Sequence, residues 1–364
     1  MINLKMLIDK NYSSWPFYSK KEISSVRKVL LSGNVNYLNG KIGKSFEKKF
    51  STKMGLNYSC LVANGTLGLE IALLALNLKK NDEIIVTPRS YISSASSVIK
   101  VGAKPIFADI DHNLNIDIND IKRKITKKTK AILCVHLYGQ PCDMKQINKI
   151  SKENNLFVIE DCSQAHGAMI KNKKVGSFGD ISVWSFCNDK IISTGGEGGI
   201  IGCNKKSIYK LVWSLKDIGK DYDKFIRQKN SYYFPYLHDT LGTNARLTEM
   251  QSAIGIVQLE NLEINLEKRN KNANILYKYL NKIDCIKIPK NDKNIYHAYY
   301  RYTIILDFHK IKNNHSIKSI IKKIRSKNIY CNVGGCPEIY NEKFFRKYKS
   351  AKSLINTEFY KNRT

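Results

Sequence analysis

Four short stretches of this chain hold side chains that could do chemistry, and each follows a run of apolar residues. Glu160-Asp161-Cys162-Ser163-Gln164-Ala165-His166-Gly167 comes after Leu156–Ile159. A carboxylate directly after a buried strand is costly unless something cationic meets it. Cys187-Asn188-Asp189-Lys190 comes after Ile181–Phe186 and leads into Thr194-Gly195-Gly196-Glu197-Gly198-Gly199. There a lysine amine stands beside a glycine-dense turn, where the backbone can approach closely and take unusual dihedrals. Asn64-Gly65-Thr66 comes after Cys60–Ala63 and opens an apolar helical pattern. A helix that starts on Gly-Thr offers free N–H groups and a hydroxyl, the parts of a phosphate cradle. Pro88-Arg89-Ser90-Tyr91 comes after Ile84–Thr87 and puts an aromatic at a strand end.

The elements that must position these residues follow from hydrophobic periodicity. Apolar runs at Ile84–Thr87, Pro105–Ala108, Ala131–Leu137, Leu156–Ile159, Ile181–Phe186 and Gly199–Gly202 mostly lack polar alternation, as strands buried on both faces do. Helical patterns lie between them, at Leu67–Leu78 and after Asp143, where Met144, Ile147 and Ile150 share a face. Strand–helix alternation predicts an α/β fold with a mostly parallel central sheet, whose sites gather at the carboxyl ends of the strands. The pattern then changes to one long helix from Leu247 to Leu280, a strand at Tyr300–Leu306 and a helix striped by Ile317, Ile320, Ile321 and Ile324. This predicts a large domain over residues 1–250 and a smaller C-terminal α/β domain over 251–364, with the long helix joining them.

Composition excludes several classes. A chain of 364 residues has room for about two domains at roughly 100–200 residues each. With 43% hydrophobic and 25% charged residues it is an ordinary globular chain, too apolar for generic disorder. No apolar run approaches the roughly 18–20 residues of a membrane helix, and Met1 to Lys20 carries no secretory signal pattern. The nine cysteines are scattered with no C-x-x-C pair, which argues against a disulfide framework or a metal site and for a reducing, cytoplasmic setting. The net charge of +30 raises a nucleic-acid reading. Lysine is spread along the whole chain, however, and the densest basic stretch, Lys310 to Lys327, carries the isoleucine stripe of an amphipathic helix with a solvated face. No nucleic-acid partner is expected; an anionic small molecule would still feel the field.

Taken singly, each chemical stretch has a plainer reading. Lys190 could be a surface lysine, Asp161 a cap or core ion pair, Gly65-Thr66 a simple helix cap and Tyr91 a core aromatic. The glycine run is not a nucleotide fingerprint, since Ile201 stands where the third glycine of G-x-G-x-x-G would be, and no P-loop is present; this disfavours a nicotinamide oxidoreductase. Taken together, an amine, a carboxylate, a phosphate cradle and a stacking aromatic at strand ends are what a pyridoxal phosphate site needs.

The chain resembles the DegT/DnrJ/EryC1/StrS family of nucleotide-sugar aminotransferases. The resemblance rests on Ser32-Gly33 with Phe46-Glu47, Asn64-Gly65-Thr66, Gly102-Ala103-Lys104-Pro105, His136-Leu137-Tyr138-Gly139-Gln140-Pro141, Glu160-Asp161 through Gly167, Ser185-Phe186 through Gly199, and Gly242-Thr243-Asn244-Ala245-Arg246, over roughly residues 20 to 345. It implies a fold-type I, aspartate aminotransferase-like architecture and pyridoxal 5'-phosphate as cofactor. It implies that Lys190 bonds the cofactor's aldehyde and then shuttles a proton, and that Asp161 pairs with the pyridinium nitrogen. Gln164 would bond the ring hydroxyl and Tyr91 stack on the ring, while Gly65, Thr66 and Ser185 would hold the phosphate. Asn244 resembles a residue that reaches the phosphate from a neighbouring subunit, which implies a homodimer with shared sites. His166 is read as structural. A lysine at 190 rather than histidine implies transamination rather than dehydration. The run Lys190-Ile191-Ile192-Ser193-Thr194-Gly195-Gly196-Glu197-Gly198-Gly199 looks like the branch acting on 4-keto sugars.

The expected activity is therefore conversion of a nucleotide-linked 4-keto-6-deoxy sugar to its 4-amino sugar, with glutamate as donor, for surface polysaccharides such as O-antigen lipopolysaccharide. The alternative is an altered family member acting as a regulator or inactive paralogue. After Cys336-Pro337-Glu338-Ile339-Tyr340 the family's usual strand and closing helix are not recognisable, so the small domain is expected to be shortened or rebuilt.

Overall fold

The computed structural model describes residues 15–227, 236–289, 292–311, 315–349 and 354–364. Most of the Met1–Lys20 stretch, and residues 312–314 of the basic stretch, lie outside them. In chain order the strands are β1 (Tyr58–Val62), β2 (Glu83–Val86), β3 (Lys104–Phe107), β4 (Thr129–Val135), β5 (Phe157–Asp161), β6 (Met169–Ile170), β7 (Lys173–Lys174), β8 (Ile181–Ser185), β9 (Gly199–Cys203), β10 (Ile286–Lys287), β11 (Ile295–Tyr296) and β12 (Ile305–Leu306). The helices are α1 (Lys20–Ser32), α2 (Ile42–Met54), α3 (Gly65–Leu74), α4 (Ser93–Lys100), α5 (Ile118–Lys124), α6 (Met144–Glu153), α7 (Lys206–Lys216), α8 (Tyr222–Arg227), α9 (Glu249–Glu260), α10 (Leu262–Leu280), α11 (Ile317–Arg325) and α12 (Ile355–Tyr360).

Seven strands form the central sheet in the order β1-β9-β8-β5-β4-β2-β3. Neighbours from β8 through β3 run parallel, and β9 is antiparallel to both β8 and β1. The apolar runs therefore became the strands they predict, and both faces are covered. Ile84, Val86, Leu133, Ile159 and Val183 pack with Leu69 and Ile71 of α3, Val98 of α4 and Trp213 of α7. On the opposite face, Ile85, Ile132 and Val158 meet Met144, Ile147 and Ile150 of α6. Leu61, Trp184 and Ile200 meet Phe46 and Phe50 of α2. Asp143 caps α6 by accepting from Gln146 N, which fixes the start of the predicted stripe.

The region after residue 247 departs from expectation in two places. The long helix is two helices, broken at Asn261, whose φ of −88° and ψ of 1° leave the helical region. The strand at Tyr300–Leu306 shrinks to β12, which pairs with β10. The preceding backbone finds other partners: Ala298 N donates to Gly139 O, Arg301 N to Tyr138 O, and Arg269 Nη1 to Tyr299 O. With those groups satisfied, a sheet ladder has nothing to add.

The last segment docks on the large sheet. Ile339, Tyr340, Phe345 and Leu354 are buried in the cluster that holds Ile84 and Leu133. Asp109, just past β3, accepts from Asn356 N, Thr357 N and Thr357 Oγ1 at 2.7–2.9 Å and so ties α12 to the sheet edge.

Candidate active site

At the carboxyl ends of the parallel strands lies a cavity of about 820 Å³. Gly65, Thr66, Tyr91, Asp161, Gln164, Ser185 and Lys190 all line it. Their sequence separation is large, and the sheet order brings them together: β8 and β5 end side by side, β1 ends one strand away across β9, and β2 ends beyond β4.

Asp161 is the last residue of β5 and is buried. Its Oδ2 accepts from Ser94 Oγ at 2.9 Å and its Oδ1 from Ser163 N at 3.1 Å. Among the described residues no cation pairs with it within 4.0 Å. A buried carboxylate held by two neutral donors is suited to receive a cationic group from a ligand. Glu160, one residue earlier, points the other way, as strand periodicity requires. It is fully buried and accepts from Gly176 N, Phe178 N and Gly179 N at 2.6–2.8 Å, with His136 Nε2 at 3.1 Å. Glu160, His136 and Cys162 gather three possible metal-ligating atoms within 4.8 Å of one another. The glutamate oxygens are already committed to those N–H groups, so the cluster reads as hydrogen-bonded core.

The cradle forms where α3 begins. Asn64 caps the helix: its side chain accepts from Leu67 N at 2.9 Å and its carbonyl from Gly68 N. The Gly65 and Thr66 N–H groups have no acceptor within the helix and face the cavity end. Gly65 is there for space. A Cβ on it would lie 2.8 Å from Ser185 Cβ, and a Cβ on Gly199 would lie 2.8–2.9 Å from the Asn64 carbonyl and 2.9 Å from Gly65 N. The glycines let the start of α3 pack directly on β8 and β9, which sets its N–H groups beside the Ser185 hydroxyl.

Gln164 is oriented by its neighbour. Its Oε1 accepts from Tyr138 N at 2.8 Å, so its amide N–H₂ is the end left to donate into the cavity. Tyr91 is 68% exposed on the cavity rim, not in the core. Lys190 sits in a turn closed by its own N–H to Cys187 O. Trp15 Nε1 donates to its carbonyl at 3.0 Å, and Tyr18 hydroxyl receives Gly195 N at 3.1 Å, so the N-terminal segment braces the lysine loop. His166 is fully buried without a hydrogen-bond partner on either ring nitrogen. Burial first, then the Lys190 charge, push its pKa down to about 3, which keeps it neutral and structural.

Asn244 is exposed and does not line the cavity. Its strand-like bridge to Asp217, and the Arg246–Asp217 ion pair at 2.7 Å, hold its loop on the outside. Sequence reasoning missed Ser94, Tyr138, Asp189, Tyr300, Arg301 and the buried Arg89, which also meet at or beside the cavity. Asp189 beside Lys190, Arg89 two residues before Tyr91 and Tyr138 within His136–Pro141 carry a local signal; Ser94, Tyr300 and Arg301 carry none.

The family profile described as DegT/DnrJ/EryC1/StrS aminotransferase matches residues 16–364. The chain belongs to this family. GDP-perosamine synthase of Escherichia coli O157:H7 is 36% identical over 93% of this chain and 89% of its own length. The dTDP-3-amino-3,6-dideoxy-alpha-D-galactopyranose transaminase of Aneurinibacillus thermoaerophilus is 35% identical over 78% and 75%. The crystal structure of an aminotransferase from Psychrobacter cryohalolentis superimposes with a TM-score of 0.93 at 37% identity, covering 97% of this chain and 92% of that one. The chain is thus a pyridoxal phosphate-dependent nucleotide-sugar aminotransferase with the fold-type I architecture. The match runs to Thr364, so the C-terminal residues with no recognisable family strand still fall within the family's pattern. Among the described residues, no helix is long and apolar enough to cross a membrane.

Proposed function

We propose that this enzyme moves an amino group from glutamate to C4 of a nucleotide-linked 4-keto-6-deoxy sugar, for surface-polysaccharide synthesis. The observation that carries the cofactor assignment is the convergence of Asp161, Lys190 and the Gly65–Ser185 cradle on one cavity. The residues fit the cofactor: a buried carboxylate without a cation among the described residues, a helix N-terminus that glycine lets pack beside the Ser185 hydroxyl, and an amine within the same space.

Bound pyridoxal phosphate supplies an aldehyde that captures amines and a ring that takes up electrons. Gly65 N, Thr66 N and Ser185 Oγ would hold its phosphate. Asp161, fixed by Ser94 and Ser163, would keep the ring nitrogen protonated through opposite charge at short range. Gln164 would donate from its free amide to the ring hydroxyl, and Tyr91 on the cavity rim would pack on the ring. Lys190 would anchor the cofactor and, as a free amine in the same cavity, would hold or move a proton at the reacting carbon. Arg89, Lys100 and Arg301 also line the cavity, Lys100 paired with Glu70 and Arg301 with Asp189.

The assignment to C4 is supported by the run from Lys190 to Gly199. The Aneurinibacillus relative, named for a 3-amino sugar, makes C3 the second reading. Incubating the purified enzyme with glutamate and a panel of 3-keto and 4-keto nucleotide sugars, and locating the amine by NMR, decides between them. Amination at C3 alone would overturn the C4 assignment, and activity with other donors but not glutamate would overturn the donor. Lys190→Ala should abolish borohydride-trapped cofactor in a protein that remains folded.

We also propose a homodimer in which Asn244 reaches the partner's cofactor phosphate. Its exposure supports this, as does that of nearby Leu241 and Tyr236, at 91% and 85%. A monomer by light scattering would exclude it. A cytoplasmic setting is supported by nine cysteines that are all free. The division at residues 1–250 and 251–364 stays a proposal; α9 packs on α1 and α2, which argues for extending the first body to the end of α9.

A further inference from the structure

Lys190 does not enter the cavity unattended. Its Nζ lies 3.0 Å from Asp189 Oδ1 and 3.2 Å from the Tyr300 hydroxyl, and 4.8 Å from the centre of the Tyr300 ring. The Tyr300 hydroxyl donates in turn to Asp189 Oδ2 in a close contact. Arg301 Nη2 approaches the hydroxyl at 3.2 Å and the same carboxylate oxygen at 3.5 Å. Asp189 is the lysine's chain neighbour, but Tyr300 stands 110 residues away and is delivered only by the tertiary fold.

We propose that Tyr300 is a positioning residue for the reacting amine: with Asp189 it forms a second station that holds Lys190 whenever the amine is not joined to the cofactor. This rests on Lys190 being the cofactor's lysine. A lysine released on its four-carbon stem has many rotamers, and fixing one of them keeps the amine beside its reaction partners. Asp189 is 42% exposed and cannot fix the amine's direction alone. The Tyr300 ring is rigid and nearly buried, and it offers both a hydroxyl and a π-face to an ammonium.

The charged and titratable groups around the amine are Asp189 and Cys187 on its own loop, Tyr300 and Arg301 beside it, Arg269 from α10, and His166 after β5. Burial draws the Lys190 pKa down, but Tyr300 and then Asp189 outweigh it, and the net direction is up. Asp189 is displaced the other way: burial would raise it, but the Tyr300 hydrogen bond and Lys190 bring it below the usual range. The station therefore holds an ammonium next to a carboxylate.

The test uses the full-length holoenzyme loaded with pyridoxamine phosphate, the cofactor form that leaves the lysine unbonded. Acetic anhydride labelling of Lys190 is followed by peptide mass spectrometry from pH 7 to 11 in the wild type, Tyr300→Phe and Asp189→Asn. Both variants should label Lys190 roughly three- to tenfold faster at pH 8.5, because a tenfold change in free amine corresponds to one pH unit. Other lysines should be unchanged. Should Tyr300→Phe not fold, Asp189→Asn decides, since it removes the negative charge and leaves one acceptor oxygen where Lys190 and Tyr300 now use two. An unmoved Lys190 profile in the folded variants overturns the proposal. Borohydride trapping on the aldehyde form runs in parallel; a cofactor fixed to a different lysine would overturn the underlying assignment and the station with it.

Discussion

Gly65 stands so close to Ser185 that a methyl group on the glycine would come within 2.8 Å of the serine Cβ. Gly65 opens α3 just past β1 and Ser185 ends β8, and the two meet because β1 and β8 flank β9 in the sheet. Gly65→Ala should wedge them apart and cost the protein at least tenfold in pyridoxal phosphate affinity. Overpacking of this kind is worth about 1–3 kcal/mol. Fluorescence titration of the stripped protein with cofactor measures it, and unchanged affinity would mean that the phosphate is held elsewhere.

The hydrogen bond from Ser94 to Asp161 predicts a coupled pair. Asp161→Asn should retain cofactor while turnover drops by a factor of about a hundred or more, because a neutral amide no longer favours a protonated ring. Ser94→Ala should slow turnover by roughly threefold to tenfold, since a hydrogen bond to a charged group is worth about 1.5–3 kcal/mol and only part of it is lost in the transition state. In the Asp161→Asn background the serine change should have little further effect. Fully multiplicative losses in that cycle would show that Ser94 acts by some other route.

Glu160 predicts a stability effect without a catalytic one. Glu160→Gln places an amide donor against backbone N–H donors of Gly176, Phe178 or Gly179. The expected loss is about 2–4 kcal/mol. Urea denaturation at fixed cofactor concentration reads this, and a change under about 0.5 kcal/mol would show that the three backbone N–H groups do not depend on the Glu160 carboxylate.

Two histidines predict acid sensitivity. Burial lowers the His297 pKa from 6.5 to about 3, and burial together with Lys190 does the same for His166. The folded chain leaves both rings neutral down to about pH 3, whereas the unfolded chain protonates them near pH 6.5. The unfolded state thus binds more protons below pH 6.5, so stability falls as pH drops from 6.5 toward 3 and is unaffected above that range. His297→Gln should make the slope shallower by up to about 1.4 kcal/mol per pH unit. Denaturant midpoints at pH 7, 6, 5 and 4 test it; parallel curves for wild type and variant would show that the ring is protonated in the folded chain.

The chain's local patterns determined the strands, the order in which chemical residues leave them, and the motifs from Asn64 to Arg246 that carry the family resemblance. These features are local: a strand is written in consecutive apolar residues, and a cap in the few residues around it. The break at Asn261 and the loss of the strand before Ile305 were not legible, because they depend on what the backbone meets. Tyr138, Gly139 and Arg269 satisfy the groups around Tyr299 that a ladder would otherwise pair. The same long-range packing set Tyr300 against Lys190, Ser94 against Asp161 and Trp15 against the lysine loop. Sequence spelled out which groups are present at the ends of the strands; only folding decided which distant side chains hold them, since contacts between residues 67 to 175 positions apart leave no periodicity to read.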